Sequence, residues 1–312
     1  MRRMKIRSYA YTKGPDEIKF KDGSRWWHPY RAKNSYQLDM YEKVSREAVE
    51  KAGIEMSDID LIIVASAGMV QMIPCTAALL QERIAPHSGI PCMDVNTTCT
   101  SFITALDVAS SFLVTELYQR ILIVSGDLVS HFINPNQEES YRLFSDSGVA
   151  FIVESTKENK GILYSKQETW SEGAHTTEIR GGLTAYGPSL YSEDTKEDFL
   201  FDMDGKSVLM LTLNKLPKML KETLQHNNIQ LADISKIVPH QASRALFIVE
   251  KKLKLKKGQL INYFEELGNM VSGSVPYTLG LAMDQEEIKE GDLILLIGTA
   301  AGLTMNCMLI QL

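Results

Sequence analysis

Apolar positions along this chain follow two rhythms: helical spacing of three and four, and unbroken runs of five or six. The first predicts a helix over about residues 36–52, closed by Gly53, then one over 76–84. Another begins near Cys99 and repeats through Phe102, Ala105, Leu106, Ala109, Phe112 and Leu113. The unbroken run 120–126 predicts a strand buried on both faces, and 61–66 and 148–153 predict two further strands. Residues 155–204 are polar and glycine-punctuated, which predicts a hairpin and a surface excursion.

The second part of the chain repeats the first. Residues 53–66 align with 228–241 without a gap, pairing Ile54 with Ile229, Asp58 with Asp233 and Ile62 with Ile237. An amphipathic helix precedes each copy, 38–52 in one case and 208–225 in the other. The same offset carries Cys99 onto Ser274, which opens a second small-residue helix, and strand 121–126 then matches 293–298 within a few residues. Three matches in one order predict a duplicated α/β unit. The expected division is an N-terminal half over 1–170, a connection over 171–205 and a C-terminal half over 206–312. Two such halves packed together bring corresponding loops to one cleft.

A formal net charge of −6 argues against a nucleic-acid binder. Cys75, Cys92, Cys99 and Cys307 are scattered without paired spacing, so neither a metal site nor a disulfide framework is expected. No apolar run reaches membrane-spanning length, and the basic start lacks an apolar signal core, so a reduced, cytoplasmic protein is expected. The basic run Lys251, Lys252, Lys254, Lys256 and Lys257 reads as a solvated helix face, or as a docking patch if an acidic partner exists.

Cys99 follows Asn96-Thr97-Thr98 at or just inside a helix start, where free N–H groups and the helix dipole favour a thiolate. Read by itself it is more often a small buried apolar residue. His240 ends an apolar run after Pro239, where α/β folds place ligands. Asn269 lies in Leu267-Gly268-Asn269, which read alone is turn chemistry. The signal is the set: Cys, His and Asn in loops that a duplicated fold brings together.

On these motifs the chain resembles the thiolase-superfamily condensing enzymes, most closely the β-ketoacyl-acyl-carrier-protein synthase III group. Residues 96–102 resemble the family's nucleophile segment, 238–242 its histidine motif and 268–276 its asparagine motif, while 143–150 and 203–208 match scaffold landmarks. The resemblance implies duplicated βαβαβαββ halves in an αβαβα layering. It implies Cys99 as the acylated nucleophile and His240 and Asn269 as donors to the malonyl thioester oxygen. The Cys99 and Ala301 N–H groups are implied as an oxyanion hole. It implies no metal and no cofactor beyond the acyl-coenzyme A and malonyl-carrier substrates.

The resemblance also matches Trp26, Trp27 and Arg31 to a coenzyme A site, the two tryptophans alternatively reading as a lid or dimer contact. Ser243 and Arg244 stand where the family has a pantetheine or carrier contact, and Lys251, Lys252 and Lys254 fit carrier docking. The loop 69–74 resembles a segment that reaches a neighbouring subunit, so a homodimer is expected. Departures are Gly298-Thr299-Ala300-Ala301-Gly302 in place of a glycine run, Thr100-Ser101 after the nucleophile, and Ser243 with the arginine one position early. The implied activity is decarboxylative condensation of an acyl-thioester with a malonyl-type extender on acyl carrier protein. The alternatives are acyl transfer without decarboxylation and a silent scaffold subunit.

Overall fold

The structure is a computed structural model that describes residues 1–19 and 29–312. Its main elements run β1 (Lys5–Lys13), α1 (Gln37–Ala52), β2 (Leu61–Ala65), α2 (Thr76–Ile84) and β3 (Cys92–Val95), then α3 (Ser101–Val114), β4 (Arg120–Ser125) and β5 (Ser147–Glu154). A second set follows: β6 (Gly161–Thr169), α4 (Gly205–His226), β7 (Lys236–Pro239), α5 (Leu246–Leu253), α6 (Ser274–Asp284), β8 (Leu293–Ala300) and β9 (Thr304–Gln311).

The two sheets have matching orders, β1-β5-β4-β2-β3 and β6-β9-β8-β7. In each, the central strands are parallel and the strands on one side antiparallel. The place of β3 is taken in the second sheet by an extended segment beside β7, where the Ile237 N–H donates to Gln259 O and the Ile261 N–H to Ile237 O. The second half is therefore βαβαβαββ in outline like the first.

Alternation along the strands explains the layering. Leu61, Ile63, Ile121 and Ile123 turn inward with Ile294 and Leu296 of the other sheet, and α3 and α6 fill the space between through Phe102, Leu106, Val275 and Leu279. Ile62, Val64, Leu122 and Val124 turn outward under α1 and α2. Leu295, Ile297 and Leu309 turn outward under α4 and α5. The result is the five-layered αβαβα arrangement of the thiolase fold. Buried on both faces, the central strands must be continuously apolar, which is why they are legible as runs.

The stretch 155–204 opens with a long strand. Gly161–Thr169 is the first strand of the second half, pairs along its length with β9, and also receives the short strand Arg2–Arg3. Its polar sequence hides it because most of its residues are only half-buried.

Candidate active site

Three loops at strand ends converge. Beyond β3 the chain enters a single 3-10 turn, Thr98–Thr100, and passes directly into α3. Thr98 opens this turn at φ 50°, a left-handed conformation that a β-branched residue adopts at a cost. The Thr98 N–H donates to Asn96 Oδ1 at 2.9 Å, and Asn96 Nδ2 donates to Ala67 O at 3.0 Å, so the turn is tied to the loop after β2.

Cys99 sits in the middle of this turn, half-buried. Its own N–H and that of Ala301 are directed at the sulfur, with the Thr98 hydroxyl beside it. Burial, then the Asp127 charge, nevertheless push the thiol up to about 12. At rest Cys99 is a thiol, not the thiolate that its position before a helix suggests. The loop holding Ala301 takes its one left-handed residue at Gly302, φ 90°, while Ala300 is extended at φ −138°. Alanine in place of the family's glycines therefore meets no backbone penalty here.

His240 follows β7 and is 5% exposed; its N–H donates to Ile297 O at 2.8 Å. Burial lowers its pKa to about 4, so the ring is neutral, and Nδ1 has no hydrogen-bond partner. The next residue fixes its backbone. Gln241 is buried, receives the Tyr263 N–H on Oε1, donates from Nε2 to Pro239 O and Ile261 O, and donates its own N–H to Ser274 Oγ.

Asn269 is 5% exposed, with its amide oriented by two contacts: Nδ2 donates to Ala242 O at 3.1 Å and Oδ1 accepts the Val271 N–H at 2.8 Å. The histidine and asparagine loops are thus bonded to each other. Gly298 of β8 brings the cysteine turn against them. A Cβ at Gly298 would lie 2.7 Å from Thr100 Cγ2 and 3.5 Å from His240 Cβ, so both loops press on a bare backbone.

Beside His240 and Gly298 a cavity of about 380 Å³ opens between α4 and α5. Its walls are mostly apolar, with Leu209, Leu216, Leu246 and Val249, and Glu139 and Lys206 also line it. The Thr212 hydroxyl is buried in this wall without a partner. These helix residues read as ordinary core in the sequence, and only the tertiary gap distinguishes them.

The other expected contacts fare unequally. Trp26 and Trp27 lie outside the described residues. Arg31 is 6% exposed, donates to Tyr141 O at 2.5 Å and stacks over the Tyr141 ring at 4.7 Å, away from the cavity lining. In this position its side chain braces the scaffold. Ser243 does line the cavity, while its Oγ accepts the Ala245 N–H. Arg244 is engaged with Glu265 at 3.2 Å. Lys251, Lys252 and Lys254 are exposed at the far end of α5, whose first turn carries the cavity residue Leu246. Met69, Met72 and Ile73 of the loop after β2 are also exposed. Among the described residues no group of three or more His, Cys, Asp or Glu is placed to hold a metal ion, and no helix is long and apolar enough to cross a membrane.

Comparison with known proteins gives matches in both sequence and fold. Residues 93–171 match the family model described as 3-oxoacyl-[acyl-carrier-protein (ACP)] synthase III, and residues 224–312 match its C-terminal model. The chain is 31% identical over 283 residues to a beta-ketoacyl-[acyl-carrier-protein] synthase III of Vesicomyosocius okutanii, covering 90% of this chain and 86% of that one. It is 31% identical over 274 residues to the protein of that name from Thioalkalivibrio sulfidiphilus, covering 88% and 83%. Among solved structures, 3-oxoacyl-[acyl-carrier-protein] synthase III from Aquifex aeolicus shares the fold at TM-score 0.87 and 21% identity, over 99% of this chain and all 100% of that one. A variant of OleA from Xanthomonas campestris shares it at TM-score 0.85 and 17% identity, covering 99% and 98%.

Proposed function

The chain belongs to the 3-oxoacyl-[acyl-carrier-protein] synthase III family, and from that premise we propose that it joins an acyl-thioester to a malonyl-type extender on acyl carrier protein through an acylated Cys99. It is an acyl-transferring condensing enzyme, and the proposal concerns how its residues divide the work. The observation that carries the reading is the convergence of the Ala301 and Cys99 N–H groups on one sulfur, beside mutually bonded His240 and Asn269 loops.

In the first step Cys99 Sγ attacks the thioester carbonyl. The oxyanion lies against the Cys99 and Ala301 N–H groups, which are already oriented and so need no reorganisation. The thiol proton passes by way of neutral His240 to the departing thiol. In the second step the malonyl thioester oxygen takes hydrogen bonds from His240 and from the second Nδ2 hydrogen of Asn269. The carbon–carboxylate bond breaks, carbon dioxide leaves, and the enolate carbon attacks the acyl carbonyl on Cys99, expelling the sulfur as a thiolate that takes a proton from solvent to restore the thiol. Neutral donors suit this step. A charged imidazolium would stabilise the malonyl carboxylate that has to leave.

The cavity between α4 and α5 is the expected route for the thioester arm, with Ser243 on its wall. Docking of an acidic carrier across Lys251, Lys252 and Lys254, a homodimer contact through Met69, Met72 and Ile73, independence from metals and cofactors, and a cytoplasmic location complete the proposal.

The test is acylation of the chain by a panel of acyl-thioesters, read by mass spectrometry. An adduct on Cys99 that Cys99→Ala abolishes is expected, and no adduct with any thioester overturns both enzyme readings. Asn269→Ala is expected to suppress carbon dioxide release from a malonyl-carrier more than Cys99 acylation. Equal losses in both steps favour acyl transfer without decarboxylation.

A further inference from the structure

Asp127 lies just beyond β4, 6% exposed, and no cation is paired with it among the described residues. A buried unpaired carboxylate is costly unless its oxygens are fully hydrogen-bonded. Here they are. Oδ1 accepts the N–H groups of Ala67 at 3.0 Å and Gly68 at 3.1 Å, and Oδ2 accepts the Ser272 N–H at 3.1 Å and its hydroxyl at 2.6 Å. Four donors match the four acceptor positions of an ionised carboxylate.

Those donors come from both halves. Ala67 leads through Asn96 to the N–H of Thr98, adjacent to Cys99. Ser272 follows Val271, whose N–H holds Asn269 Oδ1. Ser125 Oγ donates to Ser272 O at 3.1 Å and the Gly126 N–H donates to Ser272 Oγ at 3.1 Å, closing the junction. We propose that Asp127 is a positioning residue of the condensing centre, one carboxylate that locks the Cys99 turn and the Asn269 turn into a single frame. This rests on the role proposed above for those two residues.

The titratable groups around Asp127 are Cys99 and the buried Tyr41 phenol, whose O–H donates to Gly126 O at 2.5 Å, with Asp94 also acting on Tyr41. Burial raises the Asp127 pKa to about 6, so it is still charged at neutral pH, where its charge adds to burial in keeping the proton on Cys99. Removing the carboxylate therefore has a readout at Cys99 itself, beside any loss of stability.

The experiment measures Cys99 alkylation by iodoacetamide against pH, with condensation alongside, in the full chain and in Asp127→Asn and Ser272→Ala. Asp127→Asn removes the charge at constant shape. Its alkylation midpoint should fall, making alkylation at least about threefold faster at pH 8. Condensation should fall at least about tenfold, because the amide turns a donor toward an existing donor. Ser272→Ala keeps the charge, so its midpoint should stay while condensation falls. An unmoved midpoint in cooperatively folded Asp127→Asn, or full condensation by Ser272→Ala, overturns the proposal. If Asp127→Asn does not fold, Ser272→Ala decides alone. Alkylation needs no thioester. A midpoint shift in a chain that forms no acyl adduct therefore overturns the proposed function while leaving the Asp127–Cys99 coupling standing.

Discussion

Thr98 and Val271 hold the same strained conformation at the same place in the two halves. Their φ angles are 50° and 51°, and each opens a 3-10 turn that runs straight into a central helix, α3 or α6. The turns also close alike: Ser101 Oγ donates to Ser66 O, and Ser274 Oγ accepts the N–H of Gln241. By this correspondence the counterpart of Cys99 is Ser272, two residues before the Ser274 that a constant sequence offset selects. One half thus uses the turn to present a thiol, and the other uses it to grip Asp127.

Left-handed backbone costs a β-branched residue about 1–2 kcal/mol, a cost that glycine escapes. Thr98→Gly should regain roughly 1 kcal/mol of strain and lose a similar amount to unfolded-chain freedom, leaving stability within about 1 kcal/mol of wild type. Val271 differs because its side chain is 6% exposed and packed in the outer core of the second half. Val271→Gly should therefore lose about 2 kcal/mol. Urea unfolding midpoints check both, and a Val271→Gly chain as stable as wild type would contradict the argument.

Gly298→Ala should disable the centre without touching a reacting group. The new Cβ, 2.7 Å from Thr100 Cγ2, meets a β-branched side chain in the nucleophile turn. Overpacking of this kind costs about 1–3 kcal/mol. The strain falls between Cys99 and His240, so Cys99 acylation should drop with stability. Thr100→Ser removes the opposing methyl, and the double variant should recover both. Failure of that rescue, measured by melting and by adduct formation, would place the damage elsewhere.

The parts of the site that were legible in the sequence are those whose residue type is unusual for their place. Cys99, His240 and Asn269 each interrupt apolar or small-residue patterns at a strand or helix end. Asp127 and Gln241 escaped notice because an Asp after Ser-Gly and a Gln after His look like loop polarity, and only tertiary structure reveals their complete hydrogen bonding. The cavity was invisible for the opposite reason: Leu209, Leu216, Leu246 and Val249 are what amphipathic helices show a core. The protonation state of Cys99 was also beyond sequence, since helix position argues one way and burial with a neighbouring carboxylate argues the other. Burial and the Asp127 charge outweigh the two N–H groups, and the sulfur keeps its proton.

Arg31 is expected to serve the scaffold rather than the substrate. Its guanidinium is engaged by Tyr141, with a hydrogen bond to the carbonyl and stacking on the ring. Arg31→Met should lower stability by about 1–3 kcal/mol through the lost charge-assisted bond and the lost stacking on Tyr141. The KM for a coenzyme A thioester should stay within about twofold of wild type, since a scaffold loss is not a uniform loss of substrate binding. A rise in KM of tenfold or more at unchanged kcat would return Arg31 to the binding site.

His240 and Asp127 should make opposite contributions to acid stability. Burial lowers His240 from 6.5 to about 4, so between those values the unfolded chain binds a proton that the folded chain does not. Its contribution is present above pH 6.5 and is lost as pH falls toward 4, about 3 kcal/mol in all. Burial raises Asp127 from 3.8 to about 6, so there the folded chain binds the extra proton and stability is gained as pH falls through the same window. That gain is also about 3 kcal/mol, and in the wild type the two largely cancel. Variants expose each one. Relative to wild type, His240→Gln should become more stable by about 2 kcal/mol between pH 7 and 4.5, and Asp127→Asn less stable by a similar amount. Urea titrations at the two pH values check this; no shift in a variant would mean that its group keeps its ordinary pKa, and shifts of the same sign would mean that one of the two is displaced in the opposite direction.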